Sequence, residues 1–126
     1  LLYLQDQLQE LSKNGFKVVF RAHGMEKLEK KERPYERCLG LPFFAEIVSS
    51  GNVYTCGPFL GNDNFCYGNI YENSFSEIWE GERRQHILHK VEKELDVKHC
   101  MYNCRLDEIN RYLWELKHPS PHVNFI

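Results

Sequence analysis

The chain carries five cysteines, Cys38, Cys56, Cys66, Cys100 and Cys104, and their spacing points more directly at chemistry than any other feature. The count is odd and nothing marks secretion, which argues against a disulfide framework and for a metal site or reduced thiols. Cys100-Met-Tyr-Asn-Cys104 is a tight pair at the entry to a predicted helix. Both sulfurs of such a pair can face one ion, and the positive helix end favours thiolate charge. Cys38 and Cys56 flank a predicted β-hairpin, whose fold-back makes distant residues neighbours. Two distant thiolates and one tight pair make a four-thiolate set, the ligand set of structural zinc or of an iron–sulfur cluster. A zinc ribbon normally brings two C-x-x-C pairs, so a single pair with three intervening residues leans away from zinc. In the competing reading all five cysteines are small buried hydrophobes.

Six histidines are the other possible ligands or bases. His86 and His89 share a helix face but lack an H-E-x-x-H pattern, so they are expected at the surface. His99 adjoins Cys100 and either donates a hydrogen bond to cluster sulfur or sits on an exposed loop. Arg105 beside Cys104 has the same two options. A Cys–His nucleophile is disfavoured, because no cysteine shows a nucleophile motif; no catalytic residue is assigned to this chain alone.

These residues need elements to hold them. Residues 1–14 read as a helix with Leu1, Leu4, Leu8 and Leu11 on one face, stopped at Asn14-Gly15. Residues 16–20, Phe-Lys-Val-Val-Phe, read as a short buried strand, and 27–37 as a mixed-charge connector. A hairpin is predicted over 43–56, with strands at 43–48 and 53–56 and Gly51 in the turn. Loops rich in Gly and Asn follow, with a short strand near 65–70. Ser74-Phe-Ser-Glu77 fits a capping box that opens a helix to Leu95, weakened at Gly81. A last helix spans 105–117, with Leu106, Ile109, Leu113 and Leu116 on its apolar side, and an apolar tail, 122–126, is expected to dock. Tyr54, Phe59, Phe65, Tyr67, Phe75 and Trp79 are expected to form the core around the site and to keep water from it.

The composition bounds the alternatives. A chain of 126 residues, 42% hydrophobic and 27% charged, suits one globular domain. A net charge of −2 gives no electrostatic case for nucleic acid. No apolar run approaches the ~20 residues of a membrane span, and no secretory signal is visible, so a cytoplasmic location is expected. Residue 1 is a leucine inside a helical pattern, so a longer parent protein is expected too.

Cys38, followed by twelve residues, Gly51, four residues and Cys56, resembles the opening motif of the SPASM/twitch domains of radical SAM enzymes. Residues 67–79, from Tyr67-Gly-Asn to Glu77-Ile-Trp79, resemble that family's central segment, with Arg83-Arg84 next on the same helix. Cys100-x-x-x-Cys104-Arg105 resembles its C-terminal cluster of cysteines. The three motifs stand in the family's order between about Tyr35 and Asn110. The resemblance implies an α+β fold, a small β-hairpin plus helices around a four-cysteine metal site. Residues 1–34 would be the last helix and strand of a partial TIM barrel with a connector, and 35–126 the auxiliary cluster domain.

Full SPASM domains follow a seven-cysteine pattern with two auxiliary clusters; five cysteines resemble the shorter twitch version with one. The resemblance then implies a 4Fe–4S cluster held by Cys38, Cys56, Cys100 and Cys104, serving electron transfer or substrate positioning in an oxidoreductase or maturase. Cys66, where the family has an apolar strand residue, is expected as a core thiol. The C-x-x-x-C-x-x-C triad of radical SAM chemistry is absent. SAM and a second 4Fe–4S cluster are therefore expected only in an upstream barrel of the same protein, and the substrate would be a peptide or a sugar-like molecule. The rival reading is a zinc-stabilised binding module without catalysis; a metal-free interaction domain is the third.

Overall fold

A computed structural model describes residues 2–121 of the chain. The chain divides into two compact units, one running through Arg33 and taking in Tyr102–Cys104, the other made of Pro34–Met101 and the residues from Arg105 onward. The architecture is α+β, with five α-helices and one three-stranded antiparallel sheet among the described residues. No helix among these residues is long and apolar enough to cross a membrane.

The first unit holds α1 (Leu2–Gln9) and α2 (Ala22–Lys30). The helix expected over 1–14 is therefore shorter; Leu11 and Ser12 close turns onto Leu8 and Gln9, and Asn14 and Gly15 follow with φ of 53° and 83°. The strand expected at residues 16–20 is not formed, and Phe16 and Val19 are 66% and 72% exposed. A strand's amides need a neighbouring strand, and this unit holds none among the described residues. In place of part of the expected connector stands α2, ended by Lys31 in the left-handed conformation with its N–H on the Lys27 carbonyl. Glu26 and Lys30, four apart, give that segment a helical charge pattern. Gly24 of α2 lies against Asn103, where a Cβ would come 3.1 Å from the side-chain nitrogen.

The second unit is built on the sheet β1 (Glu46–Ile47), β2 (Asn52–Tyr54) and β3 (Cys66–Asn69), in the order β1-β2-β3. The expected hairpin forms with shorter strands, and Leu41–Phe43 is a 3-10 turn. Its turn needs a glycine. Gly51 has φ of 83°, and a Cβ there would lie 2.5 Å from the Tyr71 ring. Opposite β2, the β3 register slips: Val53 faces Gly68 and Tyr54 faces Cys66, leaving Tyr67 as an extra residue. Strict alternation would bury only one of two consecutive side chains; the bulge lets Cys66 and Tyr67 both enter the core.

The capping box forms as expected. The Ser74 hydroxyl accepts from the Glu77 amide, and the Glu77 carboxylate accepts from the Ser74 amide. The helix it opens is not continuous: α3 (Phe75–Glu80) ends at Gly81 and α4 (Glu82–Glu94) begins anew. Ile78, Ile87 and Val91 from these helices join Leu41, Val53, Tyr54 and Tyr67 in the core. The last helix, α5 (Asp107–Lys117), departs from the expected apolar face. Leu106 is buried just before it, but Ile109 and Leu116 are exposed, and the buried positions of the helix are Asp107 and Asn110. The expectation for the tail, 122–126, lies outside the described residues.

Candidate metal centre

Cys38 sits in the loop before the Leu41–Phe43 turn, and α5 holds that loop. The Tyr35 hydroxyl donates to Asp107 Oδ1 at 2.7 Å, and the Gly40 amide donates to Asn110 Oδ1 at 2.7 Å. The other side of the same amide, Asn110 Nδ2, donates to Cys38 Sγ at 3.5 Å. Arg111 adds a charge-assisted bond to Asp107 Oδ2 at 2.9 Å, which raises the guanidinium pKa further. Positions 107 and 110 share a helix face, so this buried polar pair is what clamps the cysteine loop.

Cys56 is buried directly after β2, in a segment tied to the sheet by the Thr55 amide on the Phe65 carbonyl. The Phe59 and Phe65 rings stack 3.9 Å apart over the loop that follows. Tyr67, the bulge residue, is buried. Burial pushes its hydroxyl up to about 12, the nearby Arg84 cation opposes this, and Cys56 and Cys38 add to the rise. The two thiols thus act on one buried phenol whose hydroxyl has no hydrogen-bond partner among the described residues.

Cys100 is half-buried in the second unit, and its amide closes the Val97–His99 turn onto the Val97 carbonyl. Cys104 is half-buried and belongs to the first unit. Cys66 is buried in β3 with its thiol on the Gly68 carbonyl at 3.5 Å, the surroundings of a core residue. Among the described residues, no three His, Cys, Asp and Glu side chains stand gathered as a metal-holding group. By donor chemistry alone, Cys38 and Cys56, two thiols of the second unit, suit a sulfur-bound group.

His86 and His89 are exposed, as expected. The His99 side chain is 87% exposed and lies 3.2 Å from Asp96, the surface option of the two expected for it. Arg105 is likewise exposed. Of the aromatics, Tyr54 and Tyr67 are buried, whereas Phe75 is exposed and stacks on Trp79 at 5.5 Å. Sequence reasoning missed Asp107, Asn110 and Arg84. The first two had a signal, a polar pair three apart inside an otherwise amphipathic helix. Arg84 had none beyond its place beside Arg83.

The model of the SPASM iron–sulfur cluster-binding domain matches residues 38–105, a stretch that opens on Cys38 and closes one residue past Cys104. The chain is also 35% identical over 80 residues to an AdoMet-dependent heme synthase of Methanosarcina barkeri (strain Fusaro / DSM 804). That alignment covers 62% of this chain and 20% of the relative, so the chain matches about a fifth of the length of that protein. No solved structure matches. With more than half of its residues inside the match, from the first cysteine to the last, the chain belongs to the SPASM family of iron–sulfur cluster-binding domains.

Proposed function

We propose that this chain is the auxiliary cluster domain of a radical SAM enzyme, with a 4Fe–4S cluster held by Cys38, Cys56, Cys100 and Cys104. The observation that carries the reading is the family match over residues 38–105, which takes in all five cysteines. Cys100 and Cys104 complete the set on this reading. When bound, such a cluster accepts or releases one electron with little rearrangement, at a potential the surrounding protein tunes. The chain's own residues would do three things. Asn110 and Asp107 fix the Cys38 loop, the sheet fixes Cys56, and the half-buried aromatics Phe59, Phe65 and Trp79 limit water.

Residues 1–34 would then be the end of the barrel and its connector, with 35–126 the auxiliary domain. The barrel would bring SAM and its own 4Fe–4S cluster and would choose the substrate, a peptide or a sugar-like molecule. The name of the matched relative, an AdoMet-dependent heme synthase, supports AdoMet-dependent chemistry for the whole protein. An odd count of five cysteines suits a reducing cytoplasm.

The test is metal content. The chain is purified and loaded without oxygen, and iron, sulfide and zinc are quantified beside a visible spectrum. About four irons and four sulfides per chain are expected, absent from Cys38→Ser and Cys56→Ser. A colourless protein with one zinc and no sulfide would establish the redox-silent binding module instead.

A further inference from the structure

An apolar groove of about 680 Å³ opens between α4, α5 and the loop that carries Cys38. All of its walls belong to the second unit. Leu88 and Val91 of α4, Leu113 and Leu116 of α5, and Leu41 and Phe43 of the 3-10 turn supply its apolar surface. Phe43 is 71% exposed and Leu116 58%, so two of these large side chains stand open to water on the walls of one cavity. The lining is polar elsewhere: Arg37 pairs with Glu92 at 3.9 Å, and Lys117 stands at the end of α5. A groove of this size and composition suits an apolar occupant with polar edges.

The chain carries such a segment next to the groove. α5 ends at Lys117, which itself lines the cavity. His118 caps the helix, its amide donating to the Trp114 carbonyl at 2.9 Å and its ring stacked 4.0 Å from the indole. Pro119 and Pro121 follow, and a proline biases the residue before it toward extended backbone. Then comes His122-Val123-Asn124-Phe125-Ile126, apolar at 123, 125 and 126. In an extended segment positions 123 and 125 share one face and 122 and 124 the other. Five extended residues span about 17 Å, against about 10 Å for the stretch of α4 from Gln85 to Glu92 on the groove wall. The four residues between Lys117 and His122 act as a tether. They give the segment an effective concentration in the millimolar range, at which modest apolar complementarity is enough to hold it.

We propose that residues 122–126 dock in this groove as an extended strap, with Val123 and Phe125 on its apolar walls and His122 and Asn124 toward its polar edge. Cys38 lines the same groove, so the strap covers that thiol from one side and keeps solvent reagents from it. The driving force is burial of apolar surface, which is the same whether or not the thiols take up a cluster.

The experiment uses the full metal-free chain under reducing conditions, unfolded in urea. Phe125→Ser should lower the folded-to-unfolded ratio about tenfold, the effect of taking one aromatic ring out of an apolar site. Leu88→Ala, in the groove wall, should lower it by a similar factor. The two together should fall short of the hundredfold product by about threefold, because each change has already removed what the other touches. Ser120→Ala, in the tether, is the control and should stay within about twofold. In a chain cut after Pro121, alkylation of Cys38 by iodoacetamide, read by mass spectrometry, should be about threefold faster or more. If Leu88→Ala fails to fold, Phe125→Ser and the alkylation rate decide. A Phe125→Ser chain within about twofold of the parent would overturn the strap, and so would an unchanged Cys38 rate in the shortened chain. Losses that multiply to the full hundredfold would place the tail elsewhere and overturn it too. A parent chain that sediments as a dimer, and whose Cys38 rate rises on dilution, would give the groove to a second copy instead.

Discussion

Asn110→Ala tests how the Cys38 loop is held. Asn110 is 2% exposed and does two jobs with one amide, accepting from the Gly40 amide at 2.7 Å and donating to Cys38 Sγ at 3.5 Å. Truncation leaves the Gly40 N–H buried without an acceptor, which costs about 1–3 kcal/mol. The bond to sulfur is long and adds little. Space for water is tight, because a Cβ on Gly40 would already lie 3.1 Å from Ile109. The expected loss is therefore about 2 kcal/mol, or about 8 °C in Tm for a domain of this size. Urea and thermal unfolding of the metal-free chain measure it. Tyr112→Ala, on the exposed face of the same helix, serves as the control and should stay within about 0.5 kcal/mol. If Asn110→Ala also stays within about 0.5 kcal/mol, the clamp from α5 onto the loop is not what positions Cys38.

Cys66→Ala should keep the full iron and sulfide content and lose about 1 kcal/mol of stability, since it removes one small buried group; loss of iron would make Cys66 a ligand. Ser74→Ala removes the hydroxyl bond that, ahead of the bond from the Ser74 amide, holds Glu77 below the usual carboxylate range. A depressed folded pKa contributes stability that is fully present above the unfolded value, here 4.5, and is lost as pH falls through the folded one. The Tm gap between parent and Ser74→Ala should accordingly be widest near neutrality and shrink on acidification, and a gap independent of pH between 7 and 3 would count against the capping carboxylate.

Features carried by a few adjacent residues were legible in the sequence. Ser74 and Glu77 announce their capping box within four positions, and Gly51 marks a turn that demands a positive φ. The family was legible too, since cysteines at these spacings admit few uses. The supports of the site were not. Asn110 reaches Gly40 across 70 positions and Arg84 reaches Pro42 across 42, and no local pattern encodes such pairings. The α5 face misled for a related reason: apolar residues at helical spacing suggested burial, but the helix turns its polar Asp107 and Asn110 inward to meet the loop. The strand expected at residues 16–20 failed because propensity says nothing of whether a neighbouring strand exists.

The interruption at Gly81 fixes a phase. In an unbroken helix the Trp79 carbonyl would be taken by the amide of residue 83; the break leaves it to the Arg84 guanidinium. Each residue of an α-helix turns the next by about 100°, so α4 meets the sheet at an angle counted from this joint. Deleting Gly81, or inserting one residue beside it, would swing every side chain of α4 by that amount and carry Arg84 away from Tyr67. The spacing between Trp79 and Arg84 is in this sense a gear setting, which a change of length on either side of Gly81 would disturb.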